Sequence, residues 1–262
     1  MDDELFAGVY EAFLQHQVLL FRNQNLSSAG QVRFGRRFGT LQVHVMSQYH
    51  ADGHPELYRL SNLDEQGQPN GKHPDKGTLA WHTDGSWERV TGHATILYSE
   101  LAPAPGSGGE THFCDAYAAW DALRDEHPEL AQLQATHNLD FSRNRRHAEE
   151  PLTDAQRAAI PAVTHPVVRV HPETGRQALY LGDHAESIIG MDYKLGRTLI
   201  DQLNDKAVAN SATYAHRWSS DELMIWDNRC VMHRATSYDT SKVARVIRRC
   251  TVIGESPVGI ET

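Results

Sequence analysis

No stretch of this sequence is apolar for long enough to cross a bilayer, and the N-terminal MDDELFAGVY has neither the basic start nor the apolar run of a secretion signal. Neither membrane insertion nor export is expected. Cysteine is scarce. Cys114, Cys230 and Cys250 are odd in number and lack metal-type spacing, which argues against a disulfide framework or a thiolate zinc knuckle and fits a reducing cytoplasm. Positive charge is in deficit: 25 Lys and Arg stand against 34 Asp and Glu, a net charge of −9. A nucleic-acid partner would need a basic surplus on one face, so a small molecule is the expected partner. The chain also lacks internal repeats and any linker that would split it. What remains is an ordinary globular composition, 40% hydrophobic and 23% charged over 262 residues, enough to bury one sizeable core. Residues 1–262 therefore read as a single domain.

Apolar spacing predicts a helix over 3–16 through Leu5, Phe6, Val9 and Phe13. A strand VLLF at 18–21 follows, and then a second helix capped by Ser27 or Ser28. Between 53 and 78 the sequence is rich in Gly, Pro, Asn, Asp and Lys, interrupted by the strand-like ELYRLSN. This stretch is expected to be a mobile loop able to close over a site. LAW at 79–81, HATILYSEL at 93–101 and ETHF at 110–113 read as strands, followed by a helix from Ala116 to about Arg124. A polar region spans 142–158. THPVVRVHP and RQALYLG form a hairpin across Glu173-Thr174-Gly175, and a helix runs from Lys194 to Ala209. SATYAHRW, ELMIWDN, CVMHRA and RVIRRCTVIG are the closing strands. Short strands in both halves with helices inserted between them predict a mainly β fold, a jelly-roll or related double-sheet barrel whose mouth can hold one ligand.

The chemistry concentrates in two segments. In WHTDGSW, His82 and Asp84 are two residues apart, so an extended backbone points both side chains to one side. In WDNRCVMHRAT, a strand delivers His233. Two imidazoles and one carboxylate on one face leave the other face of an octahedral ion open, the arrangement used by non-haem iron(II) oxygenases. A structural zinc site would be closed and richer in thiolates. An oxygenase of this kind that uses 2-oxoglutarate must also grip the far carboxylate of that co-substrate. A planar, permanently charged Arg beside a hydroxyl suits that task, and the chain offers Arg245 in ARVIRRCT and Thr111 in GGETHF. The plain alternative for Arg245, Arg248 and Arg249 is a solvated charged strand edge. Strand alternation sends Arg245 and Arg249 one way and Arg248 the other.

Taken together, WHTDGSW, PGSGGETHFCDAYAAWDAL, HRWSSDELMIWDNRCVMHRAT and ARVIRRCT resemble the TauD/TfdA family of taurine and 2,4-dichlorophenoxyacetate dioxygenases, from about Phe6 to the C-terminus. The likeness is strongest to the phenoxyalkanoate-degrading branch, notably in GGETHFCDAYAAWDAL and VHPETGRQALYLGDHAESIIGMD. The resemblance implies the double-stranded β-helix of these enzymes, with Fe(II), 2-oxoglutarate and O₂ as cofactor and co-substrates. It implies iron ligation by His82, Asp84 and His233, and Thr111 and Arg245 on the far carboxylate of 2-oxoglutarate. Arg249 is then expected to reach the anionic group of the substrate. His44 in TLQVHV, Ser86 and His184 in LGDHAES match family positions near the substrate, while Trp226, Asp227, Asn228 and Arg229 buttress the strand that carries His233. A homo-oligomer is in keeping with the family. Two departures are notable. The chain begins well inside the usual start of the family, so the first strands are expected to be missing or replaced. The Tyr that lies beside the sulfonate in the taurine enzymes is Ser47 here, which disfavours taurine.

Two other readings use the same residues. A mononuclear zinc or manganese hydrolase would need only the three ligands, a bound water and a base, and it leaves Thr111 and Arg245 without a role. A degenerate jelly-roll binding protein would keep the barrel without turnover.

Overall fold

The structure, a computed structural model, describes residues 1–145 and 151–260. In chain order the elements are α1 (Asp3–His16), β1 (Val18–Phe21), α2 (Ser28–Gly35), β2 (His50–Ala51), β3 (His54–Ser61), β4 (Gly92–Leu101), β5 (Thr111–Asp115), α3 (Ala116–Leu123), β6 (Gln134–His137) and α4 (Leu139–Arg145). They continue with α5 (Asp154–Ala159), β7 (Val163–Pro166), β8 (Val168–Val170), β9 (Gln177–Leu179), β10 (Ala185–Ile188), α6 (Tyr193–Asn210), β11 (Thr213–His216), β12 (Leu223–Asp227), β13 (Val231–Ala235) and β14 (Val246–Ile253).

The larger sheet has six strands in the order β1-β12-β4-β14-β3-β2, and a second sheet has the order β11-β5-β13. Strand alternation makes the core. On β12, Met224 and Trp226 join Leu97 of β4, Ile247 of β14, and Phe113 and Val231 of the second sheet in one cluster between the two sheets. The intervening Leu223 and Ile225, with Ile96, Tyr98, Cys250 and Val252, face the other way onto α1 and α2, where Phe13, Val32 and Phe38 cover them. A third cluster joins α3 and α6 to the β8-β9 hairpin. Two sheets face to face with helices laid on the outside is the double-stranded β-helix expected from the sequence.

The same parity decides the arginines. Arg245 and Arg249 share the inner side with Ile247, whereas Arg248 shares the outer side with Cys250 and Val252. There Arg248 donates to Ser28 Oγ at 2.8 Å, ion-pairs with Glu100 at 3.1 Å and lies over the Tyr98 ring.

Several expectations need correction. LAW is not a strand: Lys76–Leu79 is a 3-10 turn, with the Asp75 side chain accepting from Gly77 N, and only His82 joins a ladder, through a single bridge. Within the expected loop at 53–78, the strand-like ELYRLSN is the strand β3, longer at its start than expected and held between β14 and β2 in the main sheet, so the irregular part begins only at Asn62. Of the polar region 142–158, residues 146–150 lie outside the described residues. The rest contains the end of α4 and the helix α5, which carries a complete capping box between Thr153 and Gln156. The short strands β6 and β10, paired with each other, were not expected.

Candidate active site

His82 and His233 come from opposite halves of the chain and are locked together by their backbones. His82 N donates to His233 O at 2.9 Å, and His233 N donates to His82 O at 2.8 Å. Their rings sit 4.2 Å apart, centroid to centroid. Asp84 lies between them, 3.6 Å from His82 Nε2 and 3.7 Å from His233 Nε2. All three side chains are buried. The His82 ring donates from Nδ1 to the carbonyl of Ala80 at 2.7 Å, which turns Nε2 towards Asp84. The tight turn after Asp84 needs glycine twice. Gly85 adopts φ +72°, and a Cβ on it would come within 2.7 Å of Gly92 N, while a Cβ on Gly92 would come equally close to Asp84 O.

Polar groups behind the triad hold the carboxylate. Thr95 Oγ donates to Asp84 Oδ2 at 2.7 Å, Asn228 Nδ2 donates to Thr95 at 2.9 Å, and Trp226 Nε1 donates to Asn228 Oδ1 at 2.9 Å. Trp226 thus packs against the His233 ring at 4.5 Å and also steers Asn228. On the other carboxylate oxygen, Arg249 Nη1 donates at 3.2 Å. Burial by itself would push the Asp84 carboxyl up, but Arg249 and the two imidazoles hold it well below the usual carboxylate range. Burial and the neighbouring His82 push His233 well down. The cluster therefore offers an ionised carboxylate and a neutral imidazole on His233, the protonation states that a metal requires of its ligands.

The remaining site residues fall into two groups. On one side, His44 packs edge-on against Tyr58 at 5.1 Å and Trp87 at 6.1 Å, Trp87 packs against His184 at 4.5 Å, and Ser86 Oγ lies 3.2 Å from His184 Nδ1. Arg249 stacks over Tyr58 at 4.6 Å, so this aromatic wall ends in a cation. Burial, reinforced by the charge of Arg249, pulls His44 down to about 3, so it is neutral at working pH. On the other side, Thr111 at the start of β5 accepts a hydrogen bond from Trp218 Nε1 at 2.9 Å, which leaves its own proton free to donate. Arg245 is buried with no carboxylate partner among the described residues, and burial lowers it to about 10. A Cβ on Gly109 would lie 3.3 Å from Arg245 Cδ, so the GG of PGSGGE lets the strand pass close over this side chain.

The structure thus brings His82, Asp84, His233, Arg249, His44, Ser86 and His184 into one neighbourhood and places Thr111 and Arg245 as buried donors. Arg249, expected at a substrate anion, stands on Asp84. Sequence reasoning missed Thr95, Trp218, Tyr58 and Trp87. A surface cleft of about 710 Å³ runs past Trp87, Glu88 and His165, but none of the triad lines it. It lies outside the wall of the site.

A family model, taurine catabolism dioxygenase TauD, TfdA family, matches residues 1–251. The chain belongs to the TauD/TfdA family. It is 36% identical over 255 residues, 93% of this chain and 87% of the relative, to the alpha-ketoglutarate-dependent 2,4-dichlorophenoxyacetate dioxygenase of Cupriavidus pinatubonensis. It is 32% identical to the (S)-phenoxypropionate/alpha-ketoglutarate-dioxygenase of Delftia acidovorans, covering 97% of this chain and 88% of the relative. The alpha-ketoglutarate-dependent sulfate ester dioxygenase of Pseudomonas putida is 30% identical, covering 100% and 85%. Among solved structures, AAD-2 in complex with Mn(II) and N-oxalylglycine superposes with a TM-score of 0.83 at 32% identity, covering 100% of this chain and 91% of that one. Like its TauD/TfdA relatives, the chain is an Fe(II)- and 2-oxoglutarate-dependent dioxygenase.

The residues fit that cofactor set. Two imidazoles and a carboxylate suit Fe(II), and the unpaired buried Arg245 suits a dicarboxylate. A second group, His171, Asp227 and Cys230, also has its ligand atoms within 4.8 Å of one another. There Asp227 is already taken: Arg229 grips both its oxygens at 2.8 and 2.7 Å, and His171 lies at 3.0 Å. It is a buried ion-pair network at the turn between β12 and β13. Among the described residues no helix is long and apolar enough to cross a membrane.

Proposed function

We propose that this dioxygenase oxidises a small aryl-bearing organic anion of the aryloxyalkanoate or sulfate-ester kind. In this reading His82, Asp84 and His233 hold iron, Thr111 and Arg245 hold the far carboxylate of 2-oxoglutarate, and Arg249 meets the anionic group of the substrate. The observation that carries it is the pair of buried arginines on one side of β14. Arg249 is beside the triad and Arg245 lies four residues away, so one site offers two separate anion receptors. One dicarboxylate co-substrate and one anionic substrate account for both. A hydrolase leaves Arg245 buried without a counter-charge, at a cost of several kcal/mol.

When bound, the metal and 2-oxoglutarate supply O₂ activation and release succinate and CO₂. The residues of this chain do the rest. His82 presents Nε2 because Ala80 fixes its tautomer. Asp84 is aimed by Thr95. Trp218 turns the Thr111 proton outwards, towards a carboxylate acceptor. Arg249 can exchange its contact with Asp84 for a substrate carboxylate or sulfate while Tyr58 keeps its guanidinium flat. Tyr58, Trp87, His44 and His184 form a wall of packed rings suited to an aromatic substrate. His44 and His184 match family positions near the substrate, and the neutral His44 can donate one hydrogen bond without adding charge. Where the oxidised carbon bears an ether or ester oxygen, the hydroxylated product collapses to a carbonyl compound and an oxygen leaving group.

The test is succinate release by protein supplied with iron(II), ascorbate, 2-oxoglutarate and O₂, across a panel of aryloxyalkanoates, alkyl and aryl sulfates, sulfonates and neutral aryl ethers. Stimulation by anions but not by neutral ethers is expected. Equal stimulation by the neutral ethers defeats the Arg249 assignment. Succinate formation should vanish in His82→Ala and Asp84→Ala, and wild-type turnover in either refutes the ligand assignment.

A further inference from the structure

The neighbourhood of Arg245 contains more unsatisfied donors than Arg245 and Thr111 explain. Tyr238, on the segment between β13 and β14, has its hydroxyl buried without a hydrogen-bond partner among the described residues, and the Arg245 guanidinium carbon lies 6.0 Å from its ring centroid. His73 packs against that phenol, 5.6 Å ring to ring, and among the described residues both its nitrogens are buried with no hydrogen bond of good geometry beyond a weak contact to the Asp75 backbone. Arg245 Nε is a fourth such atom. Buried polar atoms are rarely left unpaired, and several around one buried cation mark a place where something polar binds. Burial and the charge of Arg245 lower His73, and burial raises Tyr238, so both rings are neutral donors at working pH.

Their placement is built into the fold. His73 sits in the irregular segment that follows β3, and Asn62 clips this segment down. The fully buried Asn62 side chain donates to Thr240 O at 3.0 Å and to Val243 O at 2.7 Å, and it accepts from Arg245 N at 2.8 Å. Gly71 N adds a bond to Thr240 O at 3.0 Å. One buried amide thus ties the strip carrying His73 to the strip carrying Tyr238 and Arg245.

We infer that Tyr238 and His73 complete the receptor for the far carboxylate of 2-oxoglutarate, as further hydrogen-bond donors beside Arg245 and Thr111. This rests on the co-substrate reading above. A carboxylate offers about four lone-pair sites. A guanidinium fork and one hydroxyl leave room for further donors, and a neutral phenol and imidazole add them without adding charge. An ordered water filling the same space is the competing occupant.

The experiment is anaerobic calorimetric titration of the Mn(II)-loaded full chain with 2-oxoglutarate and with 2-oxopentanoate, which has the same metal-binding end but no far carboxylate. Tyr238→Phe and His73→Leu are compared with wild type, with thermal unfolding as a check on folding. Loss of a hydrogen bond to a charged group predicts that Tyr238→Phe, which removes one oxygen atom, weakens 2-oxoglutarate about ten- to hundredfold and leaves 2-oxopentanoate unchanged. His73→Leu should show the same selectivity. Unchanged 2-oxoglutarate affinity in both variants overturns the inference and assigns the space to water. Equal losses for both acids also overturn it, because the effect would then lie at the metal end or in the fold. Failure of the wild type itself to bind 2-oxoglutarate would instead sink the co-substrate reading, and the two failures are distinct.

Discussion

Thr95 donates its hydroxyl to Asp84 Oδ2 at 2.7 Å, and because Asn228 donates to Thr95, the carboxylate is aimed by a chain of groups rather than by its own rotamer alone. Outer groups that orient metal ligands commonly carry ten- to hundredfold in affinity. Thr95→Val keeps the shape and deletes the donor. Its affinity for Mn(II) or Fe(II) should fall by about that factor with little change in thermal stability of the apo protein. Metal titration at neutral pH checks it; an unaltered affinity would mean Asp84 needs no such support.

Arg245 and Arg248 are three residues apart and face opposite sides of the sheet. Arg245→Leu should therefore raise the Kd for 2-oxoglutarate at least about tenfold, as expected for a lost charge-assisted pair. Arg248→Leu should leave that Kd near wild type, because its partners Glu100 and Ser28 lie on the outer side under α2. The reverse pattern would exchange their roles.

Asp227 is a separate matter of stability. Burial alone would raise its carboxyl, but hydrogen bonds from Arg229 and His171 hold it well below the usual range. A carboxyl depressed in the folded state stabilises the fold above its unfolded pKa of about 3.9, and that contribution is lost as pH falls through the folded value. Asp227→Asn removes the carboxylate that Arg229 grips through two nitrogens and leaves it Glu173 alone, which should cost up to about 3 kcal/mol at pH 7. The gap in unfolding temperature between variant and wild type should narrow once pH drops below about 4. A constant gap down to the acid limit would show that the loss is one of packing rather than charge.

The sequence displayed the chemistry more clearly than its supports. His82, Asp84 and His233 stand out because a two-residue spacing and a later strand His are local patterns, and strand alternation alone separates Arg245 and Arg249 from Arg248. Thr95, Trp218 and Tyr238 carry no such signal. Each is a single polar residue whose partner is chosen by sheet register or loop packing between distant segments: Thr95 is opposite Trp226 in the β4-β12 ladder, and Gly108 bridges to Tyr238. The LAW expectation failed because β-prone residues do not make a strand where Asp75 caps a turn just upstream. Strands β6 and β10 were missed because their sequences, QATH and AESI, each hold only one β-branched residue and no aromatic, unlike the equally short VLLF of β1.

The reciprocal backbone bonds between His82 and His233 have a thermodynamic consequence. The four atoms that make these bonds are backbone atoms and none is a metal ligand, so they hold two imidazoles from opposite halves of the chain side by side independently of an ion, and metal uptake should have little chain entropy to remove. That sets this protein apart from domains that fold only around their metal. Chelation should lower the melting temperature by mass action, in proportion to the logarithm of metal concentration over Kd. The far-ultraviolet circular dichroism of the stripped protein should match that of the loaded one.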